Sequence, residues 1–418
     1  MPGTGLRVGV AFGGRSVEHD VSIITGLQAV EVLSERHRPL PIYISRSGSW
    51  YAGDELRDIA AYRSEQAPQA PEVSFDLHRG RLMPLAGGGS LLRGRRPQPI
   101  ELDVIVLATH GTQGEDGCLQ GALELADLPY VGPPVGAAAA AMDKILTKVI
   151  LQAAGLPVVE HLALRRESFE RDPAATVAAI AERFSLPVYV KPASLGSSVG
   201  VSRCAESSQL HDALQLCFEL DRACVVEPAV QGGVEVNCAV LGRPAARPRV
   251  SVCEQPVAAE SFLSFEDKYM GGGKEGGKDG APHAAKSEPA DTVDGAPDAQ
   301  GSKGPGMQSA RRLIPAPIGE QATATVQELA ERAFEAFGCA GVTRVDFLID
   351  GEGEVYVNEC NTIPGSFSFY LWEPAGLPFA DLMDELIDIA FAEHAEKGKT
   401  TTVFATNLLA QRAGGAKA

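Results

Sequence analysis

The sequence feature that most constrains the fold is an alternating segment, residues 343–361 (TRVDFLIDGEGEVYVNECN). Two runs rich in β-branched and aromatic residues flank an Asp-Gly-Glu-Gly sequence, a pattern that predicts a β-hairpin. We expect Asp350 to pair with Val355 across this turn. Because the register of a hairpin decides which side chains share a face, this one pairing predicts where the functional groups of the segment lie.

One face of the predicted hairpin is polar. In the expected register Asp346 falls opposite Glu359. Arg344 then falls opposite Asn361, and because side chains alternate along a strand, both pairs share one face. Two carboxylates and an amide provide the oxygen ligands that suit Mg²⁺ rather than zinc or copper, and an arginine beside them suits a phosphate. An amphipathic hairpin with a solvated polar face is the alternative.

The same alternation assigns the other side chains of the hairpin. Leu348 and Val357 are expected on the polar face, nearer the turn. The opposite face is predicted to enter a core and carries Val345, Phe347, Ile349, Tyr356 and Cys360. Asn358 is the polar exception on that face and would need a hydrogen-bond partner there.

Length and composition indicate a globular protein of two or three domains. The 418 residues are too many for one core, and 44% hydrophobic with 22% charged residues is typical of soluble proteins. No apolar run is long enough to cross a membrane and no signal peptide is recognisable, so we expect a cytoplasmic protein without a membrane partner. The net charge of −17 argues against a nucleic-acid partner. Eight cysteines without a CxxC pair are expected to be reduced and mostly packed.

The first third of the chain alternates strands with helices, which favours a parallel sheet. Three strands and one helix are predicted, at residues 6–12, 40–45, 102–107 and 22–34. Ligands bind beyond the carboxyl ends of such strands, where the sequence places Glu18 and His110 in polar clusters. A helix cap for the first cluster and a hydrogen-bonded loop histidine are the alternatives. Residues 53–100 predict no clear structure.

The middle of the chain carries candidate phosphate-binding side chains. A long helix is predicted at residues 134–154, with Lys144 on it. The strand at residues 187–191 ends in Lys191 and opens into the small-residue loop 192–200. Its backbone N–H groups could approach a phosphate closely. A solvated lysine and a plain hairpin turn are the respective alternatives.

Two carboxylates follow the loop. Glu227 ends an apolar strand and Glu235 lies eight residues later, so they could bind an adenine amino group and a ribose hydroxyl. Each could equally be a surface or hinge carboxylate. Residues 271–310 are mostly Gly, Ala, Pro, Asp and Lys, which predicts a mobile insertion because they can bury little apolar surface. Helices are predicted at residues 320–337 and 379–393.

Read together, these motifs resemble those of the D-alanine–D-alanine ligase family within the ATP-grasp superfamily. The resembling segments span nearly the whole chain in order: residues 13–22 (GGRSVEHDVS), 110–117 (HGTQGEDG), 142–144 (MDK), 191–200 (KPASLGSSVG), 268–269 (KY), 344–347 (RVDF) and 357–365 (VNECNTIPG). Their number and order make the resemblance more specific than any one motif.

The resemblance implies an α/β fold, α+β in its C-terminal half, with the three-domain ATP-grasp architecture. The expected parts are an N-terminal parallel α/β domain (1–133), a central lobe (134–228), a C-terminal lobe (229–397) that contains the insertion, and a tail (398–418). ATP would be clamped between the central and C-terminal lobes. A homodimer is the family expectation.

The implied activity is the ATP-dependent joining of two D-alanine molecules for peptidoglycan synthesis. ATP would phosphorylate the first D-alanine to an acyl phosphate, which the amine of the second would attack. Two Mg²⁺ ions are expected, with Mn²⁺ as a possible substitute. A ligase for another acceptor (D-serine, D-lactate or a different amino acid) and a non-catalytic ATP-binding module are the alternatives.

The resemblance also implies roles for individual residues. The catalytic residues would be Glu18, Ser197, Tyr269, Arg344 and Gly365. The amino-acid substrates would be bound with the help of His110, Lys268, Ser368 and Tyr370. The nucleotide would contact Lys144, Lys191, Ser198, Glu227 and Glu235. The Mg²⁺ ions would be held by Asp346, Glu359 and Asn361.

One segment departs from the family pattern. Residues 366–372 (SFSFYLW) stand where the family has a serine-rich run that holds the carboxylate of the second substrate. Ser368 and Tyr370 are the candidates to replace it. A tyrosine at the position of Tyr269 accompanies amino-acid acceptors in the family, which favours a dipeptide product.

Overall fold

The computed structural model describes residues 5–63, 69–85, 98–244, 246–257 and 312–404, and within them it forms three β-sheets. The predicted insertion and the candidate residues Lys268 and Tyr269 lie outside the described residues. No helix in the described ranges is long and apolar enough to cross a membrane. Seven of the eight cysteines are buried, which confirms that most of them pack as small side chains.

The N-terminal sheet has eight strands in the order β6-β5-β4-β3-β2-β1-β7-β8. They are β1 (Arg7–Gly13), β2 (Arg38–Ile44), β3 (Trp50–Ala52), β4 (Glu72–Asp76), β5 (Arg81–Pro84), β6 (Ile100–Glu101), β7 (Val104–Leu107) and β8 (Tyr130–Val131). The helices are α1 (His19–Leu33) and α2 (Cys118–Leu125). Strands β2, β1, β7 and β8 pair in parallel, which confirms the predicted parallel sheet. The segment without a structural prediction contributes β4, β5 and the start of β6, which together with β3 form an antiparallel extension of the sheet.

The central lobe is a four-stranded antiparallel sheet in the order β11-β10-β12-β9. Its strands are β9 (Leu162–Arg165), β10 (Val188–Pro192), β11 (Ser202–Cys204) and β12 (Ala223–Pro228). Helices α5 (Arg166–Arg171), α6 (Pro173–Arg183) and α7 (Leu210–Leu220) accompany it. The buried residues of this lobe, Val190 and Leu214 among them, form a core drawn only from residues 162–226.

The C-terminal sheet has five strands in the order β15-β14-β13-β16-β17. They are β13 (Val234–Arg243), β14 (Ala246–Pro256), β15 (Arg312–Leu313), β16 (Gly341–Ile349) and β17 (Val355–Asn361). Three helices follow β15 or the hairpin: α8 (Gly319–Phe337), α9 (Phe369–Trp372) and α10 (Phe379–Lys397). Phe347 packs with Phe334 of α8 on one face, while the other face carries the polar side chains of the hairpin.

Two helices, α3 (Val135–Met142) and α4 (Lys144–Ala153), replace the single long helix predicted for residues 134–154. That prediction was wrong because Asp143 leaves the helical conformation, with φ −89° and ψ 107°. Its carboxylate instead accepts hydrogen bonds from the backbone N–H groups of Ile145 and Leu146, and so caps α4. The break makes Lys144 the first residue of a helix.

The register of the β16–β17 hairpin is confirmed at its open end. Asp346 lies opposite Glu359, and Arg344 lies opposite Asn361. The expected pairing at the turn was wrong, since Val355 pairs with Ile349 instead of Asp350.

A β-bulge explains the difference. Val357 pairs with Phe347 although Glu359 pairs with Asp346, so Asn358 is an extra residue on β17. Contrary to the prediction, Val357 is therefore buried in the core, while Tyr356 pairs with Leu348. Asn358 does not enter the core either but lines a cavity beside Glu359. The bulge thus turns two consecutive polar side chains toward the same space.

Candidate active site

A cavity of about 350 Å³ lies between the central lobe and the C-terminal sheet. It brings together all five side chains predicted to contact a nucleotide and one predicted metal ligand. These are Lys144, Lys191, Ser198, Glu227, Glu235 and Glu359. A cavity of about 440 Å³ beside β8 and α10 contains none of the predicted site residues.

A buried carboxylate between two ammonium groups forms one wall. The carboxylate of Glu227 on β12 forms two ion pairs. Its oxygens lie 2.5 Å from the ammonium group of Lys191 on β10 and 2.5 Å from that of Lys148 on α4. Burial opposes the charge of Glu227, but the two lysines outweigh it and hold its pKa at about 2. Burial also opposes the charge of Lys191, yet Glu227 raises the pKa of Lys191 overall. Two cations facing one anion leave an excess positive charge, which suits a phosphate group.

Lys148 is a site residue that the sequence prediction missed. Its side chain is 2% exposed, and burial lowers its pKa although Glu227 attracts the charge. The signal was present in the sequence, because Lys148 follows Lys144 by one turn of the same helix.

The start of α4 is fastened to the loop after β10. The ammonium group of Lys144 donates to the carbonyl of Leu195 at 2.6 Å, and its backbone N–H donates to the carbonyl of Ala193 at 2.8 Å. In the same loop Ser197 and Ser198 have φ of 50° and 58°, in the left-handed region that residues with side chains seldom occupy. The small-residue loop is therefore held in one conformation against the helix.

A row of polar side chains crosses the C-terminal sheet beside the cavity. Glu359, Asp346, Asn237 and Glu254 face one another on the neighbouring strands β17, β16, β13 and β14. Neighbouring strands are about 4.8 Å apart, so the row extends roughly 14 Å. It extends from the cavity of about 350 Å³ toward α9.

Asp346 is the most crowded carboxylate in this row. The guanidinium of Arg344 donates to its two oxygens at 2.6 and 2.8 Å, and Asn361 donates to it at 2.9 Å. Burial raises the pKa of Asp346 to about 6, and Glu359 adds to the rise against the opposing effect of Arg344. In the part of the chain that the structure describes, no group of three or more His, Cys, Asp or Glu side chains is placed to hold a metal ion. The predicted Mg²⁺ ligands are two carboxylates, those of Asp346 and Glu359, and the side-chain amide of Asn361.

A second arginine lies at the far end of the row. Arg312 of β15 places its guanidinium 4.3 Å from the ring centroid of Tyr370 and 3.4 Å from Glu254. The phenol of Tyr370 donates to Glu254 at 3.0 Å. Burial and Glu254 raise the pKa of Tyr370, so this phenol stays protonated. Neither Arg312 nor Glu254 was predicted, and no local sequence pattern marks them.

Glu18 lies at the junction of the N-terminal domain with the central lobe. Its carboxylate accepts a hydrogen bond from the hydroxyl of Ser197. Gly196 approaches Glu18 so closely that a Cβ there would lie 2.7 Å from a carboxylate oxygen, so a larger residue would displace the Glu18 carboxylate. Burial raises the pKa of Glu115 to about 8, and the charge of Glu18 adds to the rise. The charge of Glu18, which also raises the pKa of Glu115, makes a pocket that suits an ammonium group.

Glu115 was not predicted, although it lies in the glycine-rich cluster 110–117. Its carboxylate accepts from the backbone N–H of Gly111 at 2.8 Å and from that of Ile363 at 3.2 Å. Glu115 therefore ties the loop after β7 to the segment after β17.

His110 joins the same two loops. Its Nε2 lies 2.9 Å from the hydroxyl of Thr25, and the ring also bonds to the backbone of Ile363. Burial lowers the pKa of His110 to about 4, so the ring is neutral near pH 7. The hydroxyl of Thr25 also accepts from the backbone N–H of Ser366 at 3.2 Å. The network fixes the segment that begins with Gly365.

Ser368 and Tyr370, the residues predicted to bind the carboxylate of the second substrate, have different surroundings. Residues 366–368 all have φ near +50°, an unusual run of left-handed conformations directly after Gly365. Within it Ser368 is fully buried. Tyr370 is half-buried beside Glu254 and Arg312.

Comparison with known proteins identifies the family. Residues 7–133 match the family model described as D-ala D-ala ligase N-terminus. Residues 150–288 and 302–388 match the model described as D-ala D-ala ligase C-terminus. The chain belongs to the D-alanine–D-alanine ligase family.

The sequences of individual family members are similar to this chain over nearly its whole length. The chain is 35% identical to the D-alanine–D-alanine ligase of Bacillus cytotoxicus, covering 95% of this chain and 98% of that protein. It is 33% identical to D-alanine–D-alanine ligase A of Escherichia coli, covering 93% and 97%.

Solved structures of the D-alanine–D-alanine ligase family share the fold. The D-alanine-D-alanine ligase of Coxiella burnetii has a TM-score of 0.72 at 28% identity, with 95% of this chain and 97% of that chain covered. The VanG D-Ala:D-Ser ligase of Enterococcus faecalis has a TM-score of 0.71 at 27% identity, covering 92% and 99%. The mixed α/β, ATP-grasp fold predicted from the sequence is confirmed.

Proposed function

We propose that this protein uses ATP to join two D-alanine molecules into D-alanyl-D-alanine, the dipeptide required for peptidoglycan synthesis. The observation that carries the proposal is one sheet face on which Arg344, Asp346 and Glu359 lie beside a cavity lined by Lys144 and Lys191. A carboxylate is a poor acyl donor, and phosphorylation converts one of its oxygens into part of a good leaving group. That chemistry needs cations around phosphate next to a held amino acid.

The first step transfers the terminal phosphoryl group of ATP to the carboxylate of the first D-alanine. Lys144, Lys191 and Ser198 would contact the phosphates, and Glu227 and Glu235 the adenine and ribose. Their lining of one cavity supports these assignments. Catalysis here consists of positioning and charge stabilisation.

The second step is attack by the amine of the second D-alanine on the acyl carbon, followed by departure of phosphate. Glu18 would bind the ammonium group of the first D-alanine, and Ser197 would position Glu18 through its hydrogen bond. Arg344 and the backbone of Gly365 would stabilise the oxyanion of the tetrahedral intermediate. His110 would hold the loop around the first carboxylate, since both of its ring nitrogens are engaged.

The residues of the hairpin fit Mg²⁺. Asp346, Glu359 and Asn361 offer hard oxygen donors, and a cation beside them would favour the charged form of Asp346, whose pKa burial raises. When bound there, Mg²⁺ would neutralise phosphate charge during transfer. Arg344, which now bonds both oxygens of Asp346, would then be shared between Asp346 and the substrate.

Turnover of a Glu359→Gln variant tests the assignment. Phosphate release with ATP and D-alanine is expected in the wild type and should fall below detection in E359Q, which loses a charge beside the phosphates. Glu354→Gln, on the exposed turn of the same hairpin, is the matched control and should keep wild-type activity. Unchanged turnover in E359Q would mean that the metal and phosphate site lies elsewhere.

The acceptor is tested in the same assay. D-alanine alone should support turnover, whereas D-serine or D-lactate added with D-alanine should not raise it greatly. No phosphate release with D-alanine alone would favour the D-serine or D-lactate ligases. No release with any pair would favour a non-catalytic nucleotide-binding protein.

Assembly and location are part of the proposal. We infer a cytoplasmic homodimer, with an N-terminal domain of residues 1–133 and lobes of residues 134–228 and 229–397. Light scattering on the purified protein should give twice the mass of the 44.0 kDa chain.

A further inference from the structure

The hydroxyl group of Thr25 connects helix α1 of the N-terminal domain to the segment after β17. Its oxygen accepts from the backbone N–H of Ser366 at 3.2 Å and lies 2.9 Å from Nε2 of His110. Thr25 is 1% exposed and His110 is 4% exposed, so bulk water has little access to these contacts. A hydroxyl group has one proton to donate, and its direction depends on which nitrogen of the ring carries hydrogen.

The backbone of Ile363 determines the tautomer of His110. The N–H of Ile363 already donates to the carboxylate of Glu115 at 3.2 Å, so the carbonyl is the group of Ile363 that bonds to the ring. This contact favours the protonated ring, as expected of a ring N–H that donates to a carbonyl. Because Nε2 faces Thr25, the nitrogen at the carbonyl is Nδ1. The ring is neutral near pH 7, so Nε2 carries no hydrogen and accepts from Thr25.

Helix α1 holds Ser366 at two points. Besides the bond from its backbone N–H to Thr25, the hydroxyl group of Ser366 donates to the side-chain carbonyl of Gln28 at 2.6 Å. Thr25 and Gln28 share one face of α1, because residues three positions apart on a helix are neighbours. Ser366 has a φ of 53°, and a residue with a side chain stays in this left-handed region only where its surroundings hold it. The two bonds supply that constraint.

These hydrogen bonds lie beside the groups assigned to acyl transfer. Gly365, whose backbone is assigned to the oxyanion site, directly precedes Ser366. The charge of Arg344, the other oxyanion group, acts on the ring of His110, so the two side chains lie near each other. We propose that Thr25 is a positioning residue for acyl transfer, which fixes the Nδ1–H tautomer of His110 and holds the backbone of Gly365 at the oxyanion site. This inference rests on the proposed ligase function.

Nuclear magnetic resonance tests the hydrogen bonds of His110 without an assay of activity. Two-bond ¹H–¹⁵N correlation spectra distinguish a ring nitrogen that carries hydrogen from one that does not, and the signals of His110 are those absent from His110→Gln. In the wild type at pH 7 we expect hydrogen on Nδ1 and none on Nε2. Thr25→Val removes the donor to Nε2, so the Nε2 signal should shift toward that of an unbonded nitrogen. Thr25→Ser keeps a hydroxyl group and should retain the wild-type signal.

Steady-state kinetics test the positioning role. In T25V the kcat with ATP and D-alanine should fall roughly 10- to 100-fold, because two buried hydrogen bonds beside the oxyanion site are lost. The KM for ATP should stay within about twofold of wild type, since Thr25 does not line the cavity between the central lobe and the C-terminal sheet. Calorimetric titration of T25V with ADP should still give one site per chain, which excludes a loss of folded protein as the cause. T25S should recover most of the activity.

Thr343→Val is the matched control. Thr343 is fully buried on β16, and its hydroxyl group meets Cys339 on the core side of the sheet. T343V should therefore keep the wild-type kcat and the wild-type signals of His110.

The possible failures are distinguishable. A wild-type kcat or an unshifted Nε2 signal in T25V would overturn the role of Thr25. If T25V does not fold, the spectra of the wild type and T25S decide, and hydrogen on Nε2 of His110 in either protein would refute the proposal. A wild type that releases no phosphate with ATP and D-alanine would instead contradict the ligase function itself, whichever tautomer it shows.

Discussion

His110 shows how the fold fixes the protonation state of a single side chain. The ring is 4% exposed and its nitrogens are engaged by Thr25 and the backbone of Ile363. Burial lowers its pKa to about 4, whereas in an unfolded chain the value is about 6.5. Between these values the unfolded chain binds more protons than the folded protein. The free energy of unfolding therefore falls as the pH drops through this window.

We expect this single group to cost the wild type about 2 kcal/mol of stability between pH 7 and pH 5. His110→Gln cannot take up that proton, so its free energy of unfolding should fall less over the same interval. Urea denaturation of both proteins at the two pH values measures the difference. His211→Gln, on an exposed surface, is the control and should follow the wild type. Equal losses in H110Q and the wild type would show that burial of a neutral His110 does not set this pH dependence.

At the scale of secondary structure, the break between α3 and α4 positions a candidate phosphate-binding side chain, Lys144. Asp143 ends one helix and caps the next, so that Lys144 starts α4 and reaches the loop after β10. A continuous helix would carry Lys144 on its side instead of at its end. The break therefore couples helix capping to the cavity between the central lobe and the C-terminal sheet.

Asp143→Ala should cost about 1 kcal/mol of stability and also raise the KM for ATP, because the cap of α4 orients Lys144. Asp172→Ala is a matched control, since Asp172 caps α6 through the N–H of Ala175 away from the cavity. Both variants should lose similar stability in urea, but only D143A should bind ATP more weakly. An unchanged KM for ATP in D143A would indicate that Lys144 does not depend on the cap.

The sequence of the hairpin predicted the strand register at its open end but missed the β-bulge nearer the turn. The pairs at its open end followed from alternation, since Val345, Phe347 and Ile349 enter the core without interruption. On the partner strand the apolar spacing changes from two residues to three between Val357 and Cys360. That change is the signature of the bulge, and strict alternation overlooks it. The contacts of Arg312 could not be predicted, because only the tertiary fold brings β15 to Glu254 and Tyr370.

At the scale of the whole molecule, the N-terminal and C-terminal sheets share one hydrophobic core, in addition to a cluster that each sheet has of its own. Helix α10 contributes Leu382 and Leu386 to one cluster that contains Phe12 of the N-terminal sheet and Leu241 of the C-terminal sheet. Arg36 of the N-terminal domain also pairs with Asp384 of α10, at 2.6 Å. The central lobe packs its own core. We therefore expect the first and third parts to unfold together.

The two tryptophans test this division, because Trp50 lies in the N-terminal sheet and Trp372 in the shared core. In Trp372→Phe and Trp50→Phe variants, each with one remaining tryptophan, fluorescence should report the same urea midpoint and slope. Leu386→Ala in the shared core should shift both transitions together by about 2–5 kcal/mol. Leu214→Ala makes the same change in the separate core of the central lobe and should shift them less. Transitions that move apart in the L386A background would show that the N-terminal sheet unfolds independently of α10, and that the shared core does not join the two parts.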